Sequence, residues 1–574
     1  MAIAGILTTF GVWLLFFPAI CGWGSLLVAA LDRAARGKVA PRKDVFAMFW
    51  MGFAAIIGGL QLWHLFRRVD SVATICFLVP GYLGFVWFLR SGRPAGQAAH
   101  WKAGLFLAIP VLVWIANLAI YGPDSYDSGL YHFSSVRWVK EFPIVPGLGN
   151  LQGRFAFNQS YFLFVALLDG VLANHGYHFA SSLLAAVLAV QFFTASHELL
   201  TKQQGCRPDL FAQFLLLSIA LMEMSGLTHY TDLSTPSPDL PVFILGIVLF
   251  VRLIAQIFPA EPDAAPSLSD VLTIATLSAA AVTLKLSFLA GGCAFVTVSC
   301  LLARFPKRGD LKTAAAVFLP GAVLFVSWIF RGVMTSGYPA YPSTFGALPV
   351  DWRIPTASTT AMSRVIQAWA RMPDLPVNEV PGNWAWLGPW SLRVWQMPGV
   401  KLSVLLLAVS AVLLCAAWVF GRRGKRGGAS WLWVFVPPVA ALIFWMATAP
   451  DPRFAGAMPW LLSVALVLLA AGRFDERQFR RALQTIAPSV ALAVGVFLVF
   501  DASRSQTWKL RGGFAKIPKA EMQTRITASG VEVQVPLQGD QVWNSKLPAA
   551  PALDPHLQMR GAGLANGFRV SADE

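Results

Sequence analysis

What most restricts the fold of this chain is a succession of apolar runs, each close to twenty residues long, with short basic or Pro/Gly-rich connections between them. A helix that crosses a hydrocarbon core of about 30 Å needs about 20 mostly apolar residues. It must also satisfy its own backbone groups, because no water is present there to do so. Such runs occupy residues 5–31, 45–65, 71–89, 103–121, 179–200, 210–228, 240–258, 268–284, 286–303, 313–331, 400–420, 430–448, 456–471 and 484–501. They predict an all-α polytopic membrane protein with about fourteen transmembrane helices. The run 160–171 makes only about 18 Å of helix and contains Asp169. It reads as a re-entrant or interfacial helix.

Composition agrees. Of 574 residues, 56% are hydrophobic and 13% charged, against roughly 25% charged in soluble domains. An ordinary soluble enzyme and a disordered chain are excluded. The net charge of +16 signals nucleic acid only when it forms a basic face on a soluble domain. Here it gathers in short loops: Arg33, Arg36, Lys38, Arg42 and Lys43; Arg90, Arg93 and Lys102; Arg304, Lys307, Arg308 and Lys312; Arg422, Arg423, Lys425 and Arg426; and Arg473, Arg477, Arg480 and Arg481. Membrane lipid, not nucleic acid, is the expected partner. The positive-inside bias puts these loops in the cytoplasm, and the spans then pair without conflict if 160–171 does not cross. A competing arrangement lets 160–171 cross, merges 268–303 into one span and moves Asp239 to the cytoplasmic side.

The favoured topology divides the chain into N-terminal helices (1–121), an outward acidic loop with interfacial helices (122–178), a central membrane core (179–331), an outward loop (332–399), C-terminal helices (400–501) and an outward tail (502–574). The tail reads as short strands at Gly530–Val535 and Gln541–Trp543, packed on the membrane part. The first run lacks a basic leader and outlasts a signal h-region, so it reads as a retained span. None of the six cysteines shares a CxxC spacing, and all but Cys206 sit in apolar runs. They read as packing residues, with no disulfide framework or zinc site expected.

The outward segments carry the chemistry. Tyr121-Gly-Pro-Asp124-Ser-Tyr126-Asp127-Ser-Gly-Leu-Tyr131-His132 follows the fourth run. On a helix Asp124 and Asp127 share a face, as do Asp127 and Tyr131. A helix starting near Asp127 would continue through Arg137 to Phe142 and suit an interface. Such carboxylates can deprotonate a hydroxyl or bind a divalent cation; they can equally cap the helix. Asp239, in Ser234-Thr-Pro-Ser-Pro-Asp239-Leu-Pro241, stands at the mouth of a span. Lys285 lies between two apolar runs, where a cation needs a partner, a ligand or a route to the surface.

Arg331 closes another run, and Asp451 and Arg453 form a charged turn before a late one. Cations there can hold a phosphate, although Asp451 and Arg453 also suit a local surface pair. Arg67, Arg68 and Asp70 break the positive-inside pattern and suggest an anion partner. Trp369, Trp384, Trp386, Trp390 and Trp395 suit an interfacial belt or a platform for a sugar or isoprenoid. His178 and His229 read as satisfied polar residues.

This arrangement resembles the GT-C superfamily of integral membrane glycosyltransferases. The resemblance implies a polyprenyl-phosphate or polyprenyl-diphosphate sugar donor and a glycan or lipid acceptor, used on the outer face of a bacterial inner membrane. Asp124 and Asp127 stand where the catalytic acidic motif would be, and 160–171 looks like a juxtamembrane helix. Asp239 resembles an Asp after a later span. Lys285 looks like a lysine-bearing turn, and Arg453 resembles an arginine that contacts the lipid phosphate. Tyr131, His132, Arg137, Arg331 and Asp451 complete the expected substrate-binding set; a divalent cation is the one cofactor considered. The chain also looks similar to an uncharacterised family of bacterial polytopic proteins associated with surface polysaccharides. That likeness lies in YDSGLYH, PGLGNLQGRFAFNQSYF, SPSPDLP, SGYPAYPS and GDQVWNSKLPAAPALDPHL. One departure is plain: the GT-C acidic loop usually follows the first span, and here it follows the fourth. A transporter or flippase of a lipid-linked glycan, and a polymerase or ligase, are the alternative functions.

Overall fold

The computed structural model describes residues 2–37, 44–91, 98–201, 207–226, 232–259, 267–305, 310–420, 429–474, 478, 481 and 513–570. The expected span 484–501, Cys206 and His229 lie outside them. The fold opens with α1 (Ala2–Ala34), α2 (Val45–His64), α3 (Ser71–Arg90) and α4 (Ala98–Ala119). A π-helical turn, Ser128–His132, runs straight into α5 (Phe133–Glu141), and α6 (Leu148–Leu151) and α7 (Tyr161–Asp169) follow. The centre comprises α8 (Gly176–Thr201), α9 (Pro208–Met224), α10 (Asp239–Ile257), α11 (Leu268–Leu284), α12 (Leu289–Leu302) and α13 (Leu311–Ser336). Then come α14 (Thr356–Arg371), α15 (Leu387–Trp395), α16 (Pro398–Phe420), α17 (Val436–Thr448), the single turn α18 (Pro452–Ala455) and α19 (Met458–Ala471).

Among the described residues nine helical segments are long and apolar enough to cross a membrane: α1 to α4, α8, α10, α13, α16 and Trp431–Thr448, which ends in α17. The chain is therefore a helical, multi-pass membrane protein by the length and composition of its helices. Four more of the expected runs form the shorter helices α9, α11, α12 and α19, of 14 to 17 residues. At 1.5 Å per residue these reach about 21–26 Å. Between α11 and α12 the shortening has a local cause. Lys285 is extended (φ −152°, ψ 119°), and Leu286–Phe288 form a 3₁₀ turn.

Aspartates start several of these helices. The side chains of Asp44, Asp70 and Asp310 accept hydrogen bonds from first-turn backbone N–H groups of α2, α3 and α13. Glycines set the closest packing. A Cβ on Gly22 of α1 would collide with the Gly81 carbonyl of α3, and one on Gly24 with the Met48 carbonyl of α2. Such close approach drives association where lipid is as apolar as the side chains.

α7 decides the topology around the site. It is about 14 Å long, and all nine of its residues are buried. At its start Ser160 N donates to Thr283 O (3.0 Å), near the end of α11. At its end Asp169 pairs with Lys140 of α5 and accepts from Gly176 N (2.6 Å), the first residue of α8. The start of α8 and the end of α11 share this level: His178 Nδ1 meets Ala119 O at the end of α4 (2.5 Å), Ser234 Oγ donates to Gly122 O just beyond it, and Asp239 at the start of α10 pairs with Lys285 after α11. Both ends of α7 thus lie at one end of the bundle. The helix is enclosed by protein. α11 and α12 are separate helices, so the arrangement with 160–171 crossing and 268–303 merged does not hold.

The segment 128–141, expected at an interface, is also enclosed. Leu130, Phe133, Val136 and Trp138 are buried, and Phe133 and Trp138 pack on Trp543 and Phe568 of the tail. The tail pairs β1 (Met522–Ile526) with β2 (Glu532–Pro536) and β3 (Leu557–Met559) with β4 (Phe568–Val570), both antiparallel. Gln541–Trp543 is not a strand. Val542 N and Trp543 N instead both donate to Gly129 O, at 2.9 and 2.8 Å. A piece this small is marginal for a core of its own. Arg560 grips Asp351 with two hydrogen bonds (2.7 and 3.0 Å), and Phe568 N bonds Pro146 O (3.0 Å).

Candidate functional site

Four segments distant in sequence place charged side chains together at one end of the bundle. Asp239 is the first residue of α10, where the exposed N–H groups favour a carboxylate. Its backbone N–H donates to Ser237 Oγ (3.2 Å). The break after α11 lets Lys285 leave the helix line; its ammonium pairs with Asp239 Oδ1 and lies 4.3 Å from the centre of the Phe454 ring. Asp451 caps α18 by accepting from Arg453 N (3.0 Å). Trp445 Nε1 donates to Asp451 O (2.6 Å) and Trp390 Nε1 to Pro450 O (2.7 Å), which fixes this turn.

Arg453 is the hub. Its NH1 donates to Asp127 Oδ2 (2.9 Å), while Nε stands 3.8 Å from both Asp239 Oδ2 and Asp451 Oδ1. The Trp369 ring centre is 5.2 Å from the guanidinium carbon. Burial opposes the Arg453 charge, but Asp239, Asp127 and Asp451 outweigh it and hold the guanidinium protonated beyond the ordinary arginine range. Three carboxylates against two cations leave a formal excess of one negative charge. Asp127 keeps 25% side-chain exposure and Arg453 16%, so a ligand can reach them.

Tyr131 and His132 lie beside this cluster, both buried. Burial pushes the His132 imidazole down to about 4, against the pull of Asp127 and Asp239. It is therefore neutral at pH 7, and its Nδ1 is enclosed without a hydrogen-bond partner. Burial, and then the charges of Asp127 and Asp239, push the Tyr131 phenol well above its usual range. The π-helical turn that carries both is held from outside by the tail. Gln541 Nε2 bonds Tyr126 O (3.1 Å), and Asp540 accepts from the Tyr126 hydroxyl.

Seven of the ten expected site residues thus converge: Asp127, Tyr131, His132, Asp239, Lys285, Asp451 and Arg453. Three do not. Asp124 is exposed in the non-helical stretch 122–125, and the helix begins only at Tyr126. It therefore shares no helix face with Asp127. Arg137 turns to the tail, bonding Glu141 (2.6 Å) and Asn544 O (2.8 Å). Arg331 lies in a separate chamber with His64 and Asn158.

Among the described residues no group of three or more His, Cys, Asp and Glu is set to hold a metal ion. Asp127, Asp239 and Asp451 are already engaged by the two cations. Arg68 is paired locally with Asp70 (2.8 Å). His178 Nδ1 stands 2.5 Å from Ala119 O and donates its one proton there, so it is a polar residue with a structural partner. Of the tryptophans, Trp386 and Trp390 are buried and meet edge to face at 5.9 Å; Trp384 and Trp395 are exposed.

His64 and Asn158 escaped sequence reasoning. His64 is the last residue of an apolar helix, and Asn158 lies within PGLGNLQGRFAFNQSYF. Asn158 takes a left-handed backbone (φ 53°), its Nδ2 donates to Trp328 O (2.6 Å), and its Oδ1 accepts from Arg331.

A cavity of about 640 Å³ lies toward the other end of α10, between α1, α3, α4, α8 and α9. Its walls are mostly apolar, and two ion pairs, Arg252–Asp44 (3.0 Å) and Arg207–Asp209 (2.7 Å), stand at its edge. Arg252 is about 20 Å along the helix from Asp239.

Residues 6–460 match the family model described as "Domain of unknown function (DUF8201)". The chain belongs to this family. No curated protein and no solved structure matches it. Every member of the charged cluster falls inside the matched range of the DUF8201 family, whereas the tail residues 540–543 that hold the π-helical turn fall outside it.

Proposed function

We propose that this DUF8201 protein is a membrane glycosyltransferase of GT-C type. It moves a sugar from a polyprenyl-phosphate or diphosphate donor to a cell-envelope glycan or lipid on the extracytoplasmic face of the bacterial inner membrane. The observation that supports this reading is the pairing of Asp127 with Arg453 and of Asp239 with Lys285 at the mouth of the bundle. An incoming donor phosphate competes for Arg453 and Lys285. That competition releases Asp127 from its ion pair.

Asp127 then takes the proton of the acceptor hydroxyl as its oxygen bonds the anomeric carbon. The bond between that carbon and the phosphate oxygen breaks, and the two cations stabilise the charge on the leaving phosphate. Asp451 acts as a positioning residue, since it caps the turn that aims Arg453. Trp369 offers a ring face beside the reacting groups. The lipid chain of the donor stays between helices in the bilayer.

The test uses purified protein in proteoliposomes with a radiolabelled polyprenyl-phosphate sugar and an extracted envelope acceptor. Asp127→Asn is expected to lower transfer by roughly 10²–10⁴-fold with unchanged protein abundance. Unchanged transfer in that variant sinks the assignment. The second reading, a carrier of lipid-linked glycan, takes its support from the 640 Å³ cavity toward the opposite end of α10. It predicts glycan movement across the vesicle without bond formation. A polymerase or ligase would use the same donor chemistry and is separated by product length.

A further inference from the structure

Arg331 sits near the end of α13 and is 5% exposed. Its NH1 donates to His64 Nδ1 (2.6 Å) and its Nε to Asn158 Oδ1 (3.2 Å). Among the described residues no carboxylate stands within ion-pair distance of it. A guanidinium only donates, so His64 Nδ1 must accept, and the His64 proton lies on Nε2, which bonds Phe142 O (3.2 Å). His64 is therefore neutral and supplies no counter-charge. Burying a cation without an opposite charge is among the costliest arrangements a protein can hold.

Beside Arg331 is a chamber of about 40 Å³, lined among others by His64, Ser135, Trp138, Gln159 and Thr335. Ser135 Oγ, Trp138 Nε1 and Gln159 Oε1 are buried and have no hydrogen-bond partner. Ser135 and Trp138 are 8% and 2% exposed. The indole N–H can only donate, and the hydroxyl is free to donate. A space that just holds one water measures about 10–15 Å³. The chamber thus has room for one small anion or about three waters, but not for a lipid-linked phosphate. It is distinct from the Asp127–Arg453 cluster. Phe162 lines it and also packs on Tyr131 (6.3 Å) and His132 (5.4 Å), so this ring stands between the two sites.

We propose that the chamber binds a small inorganic anion of halide size, held by the Arg331 guanidinium, Trp138 Nε1 and Ser135 Oγ. The anion neutralises Arg331 and ties α2, α5 and α13 together behind the π-helical turn. The inference does not depend on the glycosyltransferase reading.

Full-length protein purified in detergent and exchanged into sodium gluconate, whose anion is too large for the chamber, is titrated with sodium bromide at constant ionic strength. A saturable rise of several degrees in the unfolding midpoint is expected for the wild type. Arg331→Gln abolishes it. Should that variant not fold, Trp138→Phe keeps the ring, removes the N–H and weakens the apparent bromide affinity by about tenfold. An anomalous bromine peak in the chamber gives the position directly. The absence of a saturable bromide effect, or an identical effect in wild type and Trp138→Phe, overturns the proposal and leaves a chamber filled with water.

Discussion

Arg453 stands within 4 Å of three carboxylates; Arg331, at the same end of the bundle, meets a neutral histidine and an asparagine. Both are buried guanidiniums in a chain with little charge to spare. Around Arg453 the protein supplies its own counter-charges, each on a different segment, and Asp127 among them is partly reachable from outside. Such pairs can exchange partners, as a site that receives a phosphate and frees a base must. Around Arg331 the protein supplies donors and enclosure but no negative charge. A cluster whose cations meet carboxylates of the same chain reads as a place for chemistry, and a cation left without a counter-charge reads as half of a complex with something small.

The contrast breaks most readily by replacing each arginine with Met in gluconate buffer. Arg453→Met leaves Asp127 and Asp451 without a cation, while Lys285 still pairs Asp239, and is expected to cost roughly 2–4 kcal/mol, at the lower side for a buried pair because the side chain keeps some exposure. Arg331→Met removes an uncompensated cation and stays within about 1 kcal/mol of the wild type or above it. Chemical unfolding of both variants reads the difference; equal losses would end the distinction.

The next effect is on pH. His132 is held neutral by burial, with its pKa moved down from 6.5 to about 4. The unfolded chain binds this proton first as pH falls. Stability is therefore fully present above about pH 6.5 and is lost on descent toward pH 4, by at most about 3 kcal/mol. His132→Gln flattens that part of the profile, as melting midpoints between pH 4 and 7 will report. An unchanged slope means His132 is not the group responsible.

Smaller effects come from the tail. A Cβ on Gly129 would lie 2.7 Å from the Trp543 ring and 2.9 Å from the Gln541 side chain. Gly129→Ala should loosen this clamp at a cost of about 1–3 kcal/mol, seen as faster proteolysis of the tail. Arg560→Ala removes only a half-exposed pair with Asp351 and should cost under about 1 kcal/mol. A larger loss there would mean that the tail depends on one contact.

Much of the cluster was legible in the chain because the cost of charge in a membrane makes each ionisable residue conspicuous. The alternation of apolar runs and basic loops then assigns each one to a side. That logic places Asp127, Asp239, Lys285, Asp451 and Arg453 together without any knowledge of contacts. It fails where tertiary geometry decides. Gly122-Pro123 keeps Asp124 off the helix that carries Asp127. The partner of Arg331 is a histidine 267 positions away. The amphipathic pattern of 128–141, which suits a membrane interface, equally suits a helix roofed by a tail. Gln541–Trp543 has strand-like composition, yet its backbone N–H groups go to a single carbonyl, Gly129 O.

The central claim is that the paired cluster around Arg453 transfers sugar, and mass spectrometry of surface glycans from a deletion strain tests it most directly. The account predicts that the strain lacks one sugar substituent, that the wild-type chain restores it, and that Asp127→Asn made to equal abundance does not. Unaltered glycans in the deletion strain, or full restoration by Asp127→Asn, would contradict it.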